Sequence, residues 1–406
     1  MWSRYRALSL GARILIWMAV GVAVGVVFGP AATRVQPLGD LFIRLLLMAA
    51  IPLVFFNLIA GITSLADVGI LGRLGLRTVG FYLLTTTLAL TVGIAMASWF
   101  EPGRGMQLSE PVSRELGEVP EVADVVLGLV PSNVFEAFSS ANVAQVVVFA
   151  ILLGIAALTL PEARKLALQE FFALAAELLR ALVELVLRFA PVGVGALAAA
   201  TTGEYGSAIF GPLAKFIVAV WSGQAVMVGV YMLLLVLLTS HRPWNWLRAT
   251  GPLYATTAAT CSSLASLVVA MDVAEQRLKL PKRVYSFTLP LGAQLNKDGT
   301  SIMLTGVLLF TAQAAGVEFT LPRLVTILLI GLILSEGSGG IPGGGLVIAL
   351  IFVEAFHLPL EIAGIVAGIY RLIDMGSTTI NCMGDLTWTT ILSELEARRE
   401  AKEESR

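Results

Sequence analysis

Charge is scarce in this chain. Asp, Glu, Lys and Arg make up only 14% of its 406 residues, against 57% hydrophobic ones, whereas a soluble domain carries about 25% charged residues. Such a chain cannot hide its apolar surface in a water-soluble core, in keeping with a mean hydropathy of +0.85. The net charge of −1 provides no basic face for nucleic acid. The two cysteines, Cys261 and Cys382, sit in apolar contexts and imply no disulfide framework. The two histidines, His241 and His357, fall near predicted membrane edges, and no nucleophile lies at a spacing that would pair with a base. Enzyme chemistry is therefore not expected. Charge is missing altogether from residues 14–33 and 216–240, each long enough to cross an apolar bilayer core of about 30 Å. The first of these lacks a cleavage-like small-residue site, which predicts a retained span rather than a removable signal.

What is present is a polytopic helical pattern. Hydropathy predicts spans near 11–30, 39–64, 76–99, 141–161, 168–201 and 208–240, followed by a differently organised region, 248–395. Basic residues gather at Arg4, Arg6 and Arg13, at Arg73 and Arg77, at Arg242 and Arg248, at Arg277, Lys279, Lys282 and Arg283, and at Arg398 and Arg399. The only long polar insertion, 101–125, is acidic: Glu101, Glu110, Glu115, Glu118, Glu121 and Asp124 against Arg104 and Arg114. By the positive-inside rule the acidic loop is external and both termini are cytoplasmic. The expectation is a multi-pass protein of the plasma (inner) membrane.

Two segments of the second region break the spanning pattern. Residues 249–271 are uncharged, but their middle runs Thr256, Thr257, Ala258, Ala259, Thr260, Cys261, Ser262, Ser263. Residues 324–353 are apolar except Glu336, and 337–345 hold six glycines and Pro342, which no helix continues through. Arg248 and Arg277 flank the first segment, so its chain enters and leaves on one face. Both segments are predicted as re-entrant helical hairpins, and non-helical backbone at membrane depth is tolerated only when buried in protein or lining a cavity. Paired interrupted segments point to a transporter binding site. A glycine-tract phosphate loop is excluded, since no Lys-Ser/Thr follows it. A channel could also line a filter with polar hairpins; concentrative uptake against a gradient separates the two.

The chemistry-bearing residues follow. Tyr370, Asp374, Ser377, Thr378, Asn381 and Asp385 recur at helical spacing and form one polar stripe. Carboxylates at membrane depth are costly and normally face a cavity, an ion or a partner; the alternative is a helix end exposed to the cytoplasm. Asn296, Lys297 and Asp298, followed by Gly299, interrupt an apolar run and predict an unwound helix whose freed carbonyls can bind cations. The alternative there is a loop between two short helices.

On these residues the chain resembles the glutamate transporter homologue family, the dicarboxylate/amino acid:cation symporters. The matching elements are Pro290, Leu291 and Gly292 with Asn296, Asp298, Gly299 and Thr300; the glycine-rich 337–345; Asp374, Met375, Gly376, Thr378 and Asn381 with Gly384 and Asp385; and Tyr82, Leu83, Leu84, Thr85 and Thr86. Leu41, Phe42, Ile43 and Arg44 with Pro52, and Asn142, Val143 and Gln145, also fit. Similarity covers nearly the whole chain.

The resemblance implies an all-α fold of eight transmembrane helices and two re-entrant hairpins, with inverted repeats, a homotrimeric assembly in membrane lipid and an elevator mechanism. Scaffold spans 1–2 would occupy 1–75 and spans 4–5 occupy 141–207. Span 3 and the acidic loop fill 76–140. The rest of the moving transport domain, 208–406, would hold span 6, hairpin 1 at about 249–275, span 7 at about 284–317, hairpin 2 (the gate) at about 322–355, and span 8 at about 358–396. Substrate would meet Ser262 and Ser263, Thr300, the backbone of Ile341 and Gly345, Asp374, the 377 position, Thr378 and Asn381. Asp374 would take the amino group. One sodium ion would use Asp385 with carbonyls of Gly292, Asn296 and Asn381; another would use Tyr82, Thr85, Thr86, Asn296 and Asp298. Hard cations favour such oxygen cages. No organic cofactor is implied.

Three departures qualify the match. Acidic amino acid transporters of the family carry arginine where Ser377 stands, and serine cannot grip a side-chain carboxylate with two parallel bonds. A small neutral amino acid such as serine, alanine or threonine is therefore the favoured substrate. An acidic amino acid or a dicarboxylate is the alternative, the former should Arg371 reach the cavity. Lys297 replaces a methionine, and a lysine at membrane depth needs a counter-ion. Glu336 takes a usually apolar position and Gln294 replaces a hydroxyl residue. Pairing of Lys297 with Glu336, the ammonium standing in for one sodium ion, would explain these together and predicts fewer sodium ions or proton coupling. Finally, Thr260 and Tyr370 stand where family members often pair arginine with aspartate, so both charges vanish together.

Overall fold

The computed structural model describes residues 8, 10–64, 70–106, 127, 130–140, 143–335 and 343–404, and among these the regular structure is helical, with no strand. Helix α1 (Leu10–Phe28) runs through a 3₁₀ stretch (Gly29–Val35) into α2 (Gln36–Ser64), and α3 covers Ile70–Phe100. After the short α4 (Val134–Ser139) come α5 (Val143–Leu158), α6 (Glu162–Leu187), α7 (Ala190–Tyr205) and α8 (Phe210–Leu238). By length and composition, Ala12–Leu45, Leu74–Phe100 and Phe210–Leu238 suffice to cross a membrane among the described residues, and the bent pair α6–α7 is a fourth candidate. The other elements are shorter or carry charge.

One expected span is corrected. The run 168–201, read as a single span, is broken between Leu187 and Ala190, with a bend of 52°. Pro191 lies in the first turn of α7. Having no N–H, it leaves the carbonyl of Leu187 without its helical partner and its ring crowds that carbonyl.

Each interrupted segment consists of separate helices, with edges shifted from those expected. Hairpin 1 consists of α9 (Pro243–Thr260) and α10 (Ser263–Asp272), which pack on each other across a two-residue break. Its first arm begins at Pro243, ahead of the expected 249. Cys261 turns the chain in the left-handed region (φ 51°, ψ 39°), and the Ser262 side chain accepts from the amide of Ala265, capping α10. The unwound span is α11 (Lys282–Leu295) and α12 (Asp298–Ala314), with Asn296 and Lys297 outside either helix. Hairpin 2 has arms α13 (Leu321–Ser335) and α14 (Gly344–Ala355) in mutual contact. Its tip, including Glu336 and Ile341, lies outside the described residues, as do 107–126 of the acidic loop and Asn142. The last helix, α15, spans Leu360–Glu404.

Two packing groups result. Helix α2 packs on α5, α6 and α7, and α7 packs on α1; α3, α8, α9, α11, α12 and α15 form the second set, whose α15 also touches α1 and α7. In the first group α1 and α7 approach so closely that a Cβ on Gly21 would lie 2.1 Å from the carbonyl oxygen of Gly195, the small-residue packing on which helix association in lipid relies. In the second, α12 is enclosed: Asp298–Ala312 is buried without interruption. The far end of α15 is fastened to α3 by Trp388, which donates to Thr78 Oγ1 (2.8 Å), and by the Arg77–Glu396 ion pair (2.8 Å). The polar site thus forms where α12 and α15 cross, wrapped by apolar helices.

Candidate functional site

A helix that begins inside protein must find acceptors for its first N–H groups. Lys297, at the N-cap of α12, offers no side-chain acceptor. Asn381 on α15 supplies one instead: its Oδ1 accepts from the amides of Gly299 (2.7 Å) and Thr300 (3.3 Å), and its Nδ2 donates to Thr300 Oγ1 (3.0 Å). Asn296 returns the contact, its Nδ2 donating to the Asn381 carbonyl (2.9 Å). The broken helix and the polar stripe are thereby one unit. On the other side of the break, Lys297 Nζ donates to the Ala293 carbonyl (2.8 Å) at the C-terminal end of α11, where the helix dipole favours a cation. Lys297 is 1% exposed and close enough to Asp298 and Asp385 to act on both electrostatically.

Two buried carboxylates, Asp298 and Asp385, flank this break, and a third, Asp374, is buried two turns before Asn381 on α15. Asp298 accepts from Thr86 Oγ1 (2.9 Å) and from the Tyr231 hydroxyl, with Thr85 beside it. Asp385 faces Gly292 and Tyr82: a Cβ on Gly292 would fall 2.3 Å from Asp385 Oδ1 and 2.6 Å from the Tyr82 hydroxyl. Only glycine admits that approach. Asp374 accepts from Thr378 Oγ1 (3.3 Å), and Tyr370, Arg371 and Gly343 lie next to it. Yet Asn296 Oδ1, Asp385 Oδ1 and Asp374 Oδ2 are buried without a hydrogen-bond partner. Buried polar atoms are rarely left so. Orphaned oxygens and freed helix carbonyls are the donor type a hard cation prefers; no group of three or more His, Cys, Asp or Glu that could hold a metal ion occurs among the described residues.

The hairpins approach the same place. Ser263 reaches Cys382, next to Asn381, and Gly345 lies against Thr300 and Tyr370. Ser262, besides capping α10, is buried at the tip. Gln294 is half-buried, and among the described residues no hydrogen bond joins it to the carboxylates. Arg371, beside Asp374, is directed at hairpin 1: its guanidinium donates to the carbonyls of Ala259 (2.7 Å) and Thr260 (3.5 Å), the last of the first hairpin arm. It fastens hairpin 1 to α15, where the family's usual charge pair is lost.

Two side chains were missed by sequence reasoning. Tyr231, on Asp298, and Gln224, whose Nε2 donates to Ser377 Oγ (3.2 Å), both come from α8. Their signal was present: they are seven residues apart on one face of a helix otherwise read as an uncharged span.

The arrangement places carboxylates and unpartnered oxygens inside the protein, away from lipid and water. Residues 10–395 match the model of the sodium:dicarboxylate symporter family. The chain belongs to that family. Among its relatives, the "Proton/glutamate-aspartate symporter" of Bacillus subtilis (strain 168) is 32% identical over 398 residues, 96% of each chain. The "Proton/sodium-glutamate symport protein" of Geobacillus stearothermophilus is 28% identical, covering 97% of this chain and 96% of the relative. The "C4-dicarboxylate transport protein" of Bacillus subtilis (strain 168) is 29% identical, covering 96% and 94%. The sodium:dicarboxylate symporters are membrane transporters, not enzymes, and the chain carries their cation-coupled framework. The favoured neutral amino acid finds no support here and is corrected; the acidic alternative is the better supported. Ser377 sits in a hydrogen-bonded pair with Gln224, and Arg371, on which the acidic amino acid alternative was made to depend, is directed at the hairpin 1 carbonyls.

Proposed function

We propose that this sodium:dicarboxylate symporter carries an acidic amino acid, aspartate or glutamate, with co-transported sodium ions, protons or both. The observation that carries the reading is the burial of Asp298 and Asp385 at a broken helix and of Asp374 on the same α15 stripe, with Asn296 Oδ1, Asp374 Oδ2 and Asp385 Oδ1 lacking hydrogen-bond partners. Asp374 gives the substrate's ammonium a charge-assisted acceptor and would repel a plain dicarboxylate, which favours an amino acid over the C4-dicarboxylates that one relative's name carries. Ser262, Ser263, Thr378, Asn381 and the backbone of Ile341 and Gly345 hold the α-carboxylate and amino group, with Thr300 and Ser377 toward the side chain. Sodium ions travel as co-substrates against Asp385, Gly292, Asn296 and Asn381, and against Tyr82, Thr85, Thr86, Asn296 and Asp298. The first packing group serves as scaffold and the second as the moving domain, in a trimer with both termini cytoplasmic; the two-group packing and the resemblance support this.

The test is uptake into liposomes under separately imposed sodium and proton gradients, with competition by aspartate, glutamate, succinate, serine and alanine. Aspartate or glutamate is expected to accumulate against its gradient and to be the strongest competitor. Accumulation of serine or alanine alone would refute the assignment.

Lys297 brings a fixed positive charge into a cage that cations would otherwise fill, so fewer co-transported ions are needed. Glu336 and Gln294 are candidates for the same adjustment. Lys297→Met is expected to alter the number of cations moved per substrate, measured from reversal potentials in liposomes. An unchanged stoichiometry would remove the role assigned to this lysine.

A further inference from the structure

The position of Ser377 is set from two sides. On one, the amide of Gln224 fills the space over Gly376, where an added Cβ would lie 2.1 Å from Gln224 Oε1. On the other, the first turn of α12 presses on the Ser377 backbone, so that a Cβ on Gly299 would fall 2.2 Å from the Ser377 carbonyl oxygen. Gln224 and Ser377 are 6% and 1% exposed. Both side chains are buried, so their polar atoms must find partners inside the protein.

The bond between them has a direction. Gln224 Nε2 donates to Ser377 Oγ at 3.2 Å, which occupies one acceptor site of the hydroxyl and leaves its O–H to donate elsewhere. A hydroxyl in mid-helix usually spends that proton on the carbonyl four residues back. On α15, Thr379, Thr387, Thr389, Thr390 and Ser393 all do so, at 2.7 Å each. Ser377 makes no such bond among the described residues, so its proton is left for another acceptor. One turn away, Asp374 Oδ2 is an acceptor without a donor. A free donor and a free acceptor on successive turns suit a zwitterionic solute with a second acidic group.

We propose that Gln224 is a positioning residue for substrate recognition: by holding Ser377 Oγ as its acceptor, it keeps the serine hydroxyl poised to donate to the substrate's distal carboxylate, in the place of a cationic side chain. This rests on the acidic-substrate reading above. An amide and a hydroxyl achieve polarity without adding charge to a site already holding Lys297 and Arg371.

The experiment is a double-substitution cycle on aspartate uptake in liposomes, with melting temperatures of the purified full-length variants as a check on folding. Gln224→Met keeps the volume but removes the donor. Loss of an oriented bond to a charged group should raise KM for aspartate about tenfold, with a much smaller change in maximal rate. Gln224→Glu, which can only accept, should turn the serine proton inward and raise KM further. Ser377→Ala should raise KM to a similar extent, and Gln224→Met added to it should have no further effect. If Gln224→Met raises KM equally with or without Ser377, or lowers only the maximal rate, the amide merely packs and the inference is overturned. If the unsubstituted protein accumulates only neutral amino acids, the acidic-substrate reading falls and takes the inference with it. If it accumulates aspartate and the Gln224 variants behave as the parent, the inference alone fails.

Discussion

Asp385→Asn is expected to abolish cation-driven uptake while leaving the protein folded. The side chain is 3% exposed and its Oδ1 has no hydrogen-bond partner, facing Gly292 and the Tyr82 hydroxyl at the broken helix. A buried carboxylate oxygen without a hydrogen bond is costly, and Lys297 nearby must offset Asp298 as well, so the pair of carboxylates leaves room for a further positive partner. Asparagine keeps the shape and removes the charge. With contacts to a charged group worth about 1.5–3 kcal/mol, cation affinity should fall on the order of 10- to 100-fold. Uptake should become insensitive to the gradient that drives the parent. Size-exclusion profiles and substrate accumulation in liposomes check the two halves separately. Gradient-driven accumulation equal to that of the parent would show that Asp385 does not hold the coupled ion.

The second large effect is structural. Gly299→Ala should prevent the folded state from forming in useful yield. The added methyl would lie 2.2 Å from the Ser377 carbonyl oxygen and 2.7 Å from its Cα, and both are backbone atoms of a buried helix with no flexible end to swing aside. Relief requires moving α12 away from α15. That displacement would also pull the Gly299 and Thr300 amides from Asn381 Oδ1. Overpacking of an ordinary core costs about 1–3 kcal/mol; with the cap lost as well, the change should lower the melting temperature sharply or leave only aggregated protein. A monodisperse Gly299→Ala protein melting at the parental temperature would contradict this geometry. Gly80, which has nothing within 4 Å of an added Cβ, is the matched control.

Much of the candidate site could be read before any coordinates. The break between Leu295 and Asp298 follows from placing Asn, Lys, Asp and Gly in succession within an apolar run, because no helix wholly buried in lipid carries that sequence without a polar purpose. The stripe on α15 follows from helical spacing. By contrast, the bend between α6 and α7 sits inside a run apolar enough to read as continuous, and a single proline in its middle was too weak a signal. The aim of Arg371 was also out of reach: spacing puts it on the face of Asp374, but its side chain is long enough to reach the hairpin carbonyls instead. The partner of Ser377 was likewise out of reach, because a residue's donor or acceptor role depends on what else is bonded to it, and Gln224 is 153 residues away in sequence.

Composition alone determined that the chain lives in a membrane, and local sequence determined the break at Asn296 and Lys297 and which polar residues of α15 share a face, because these depend only on transfer free energies and helical periodicity. Tertiary structure alone decided which partners complete each polar atom. Asn381 caps α12, Tyr231 and Thr86 hold Asp298, Gln224 orients Ser377, and Asp385 is left open. Hydrogen bonds are directional and reach only about 3 Å, so who meets whom is set by how distant helices cross.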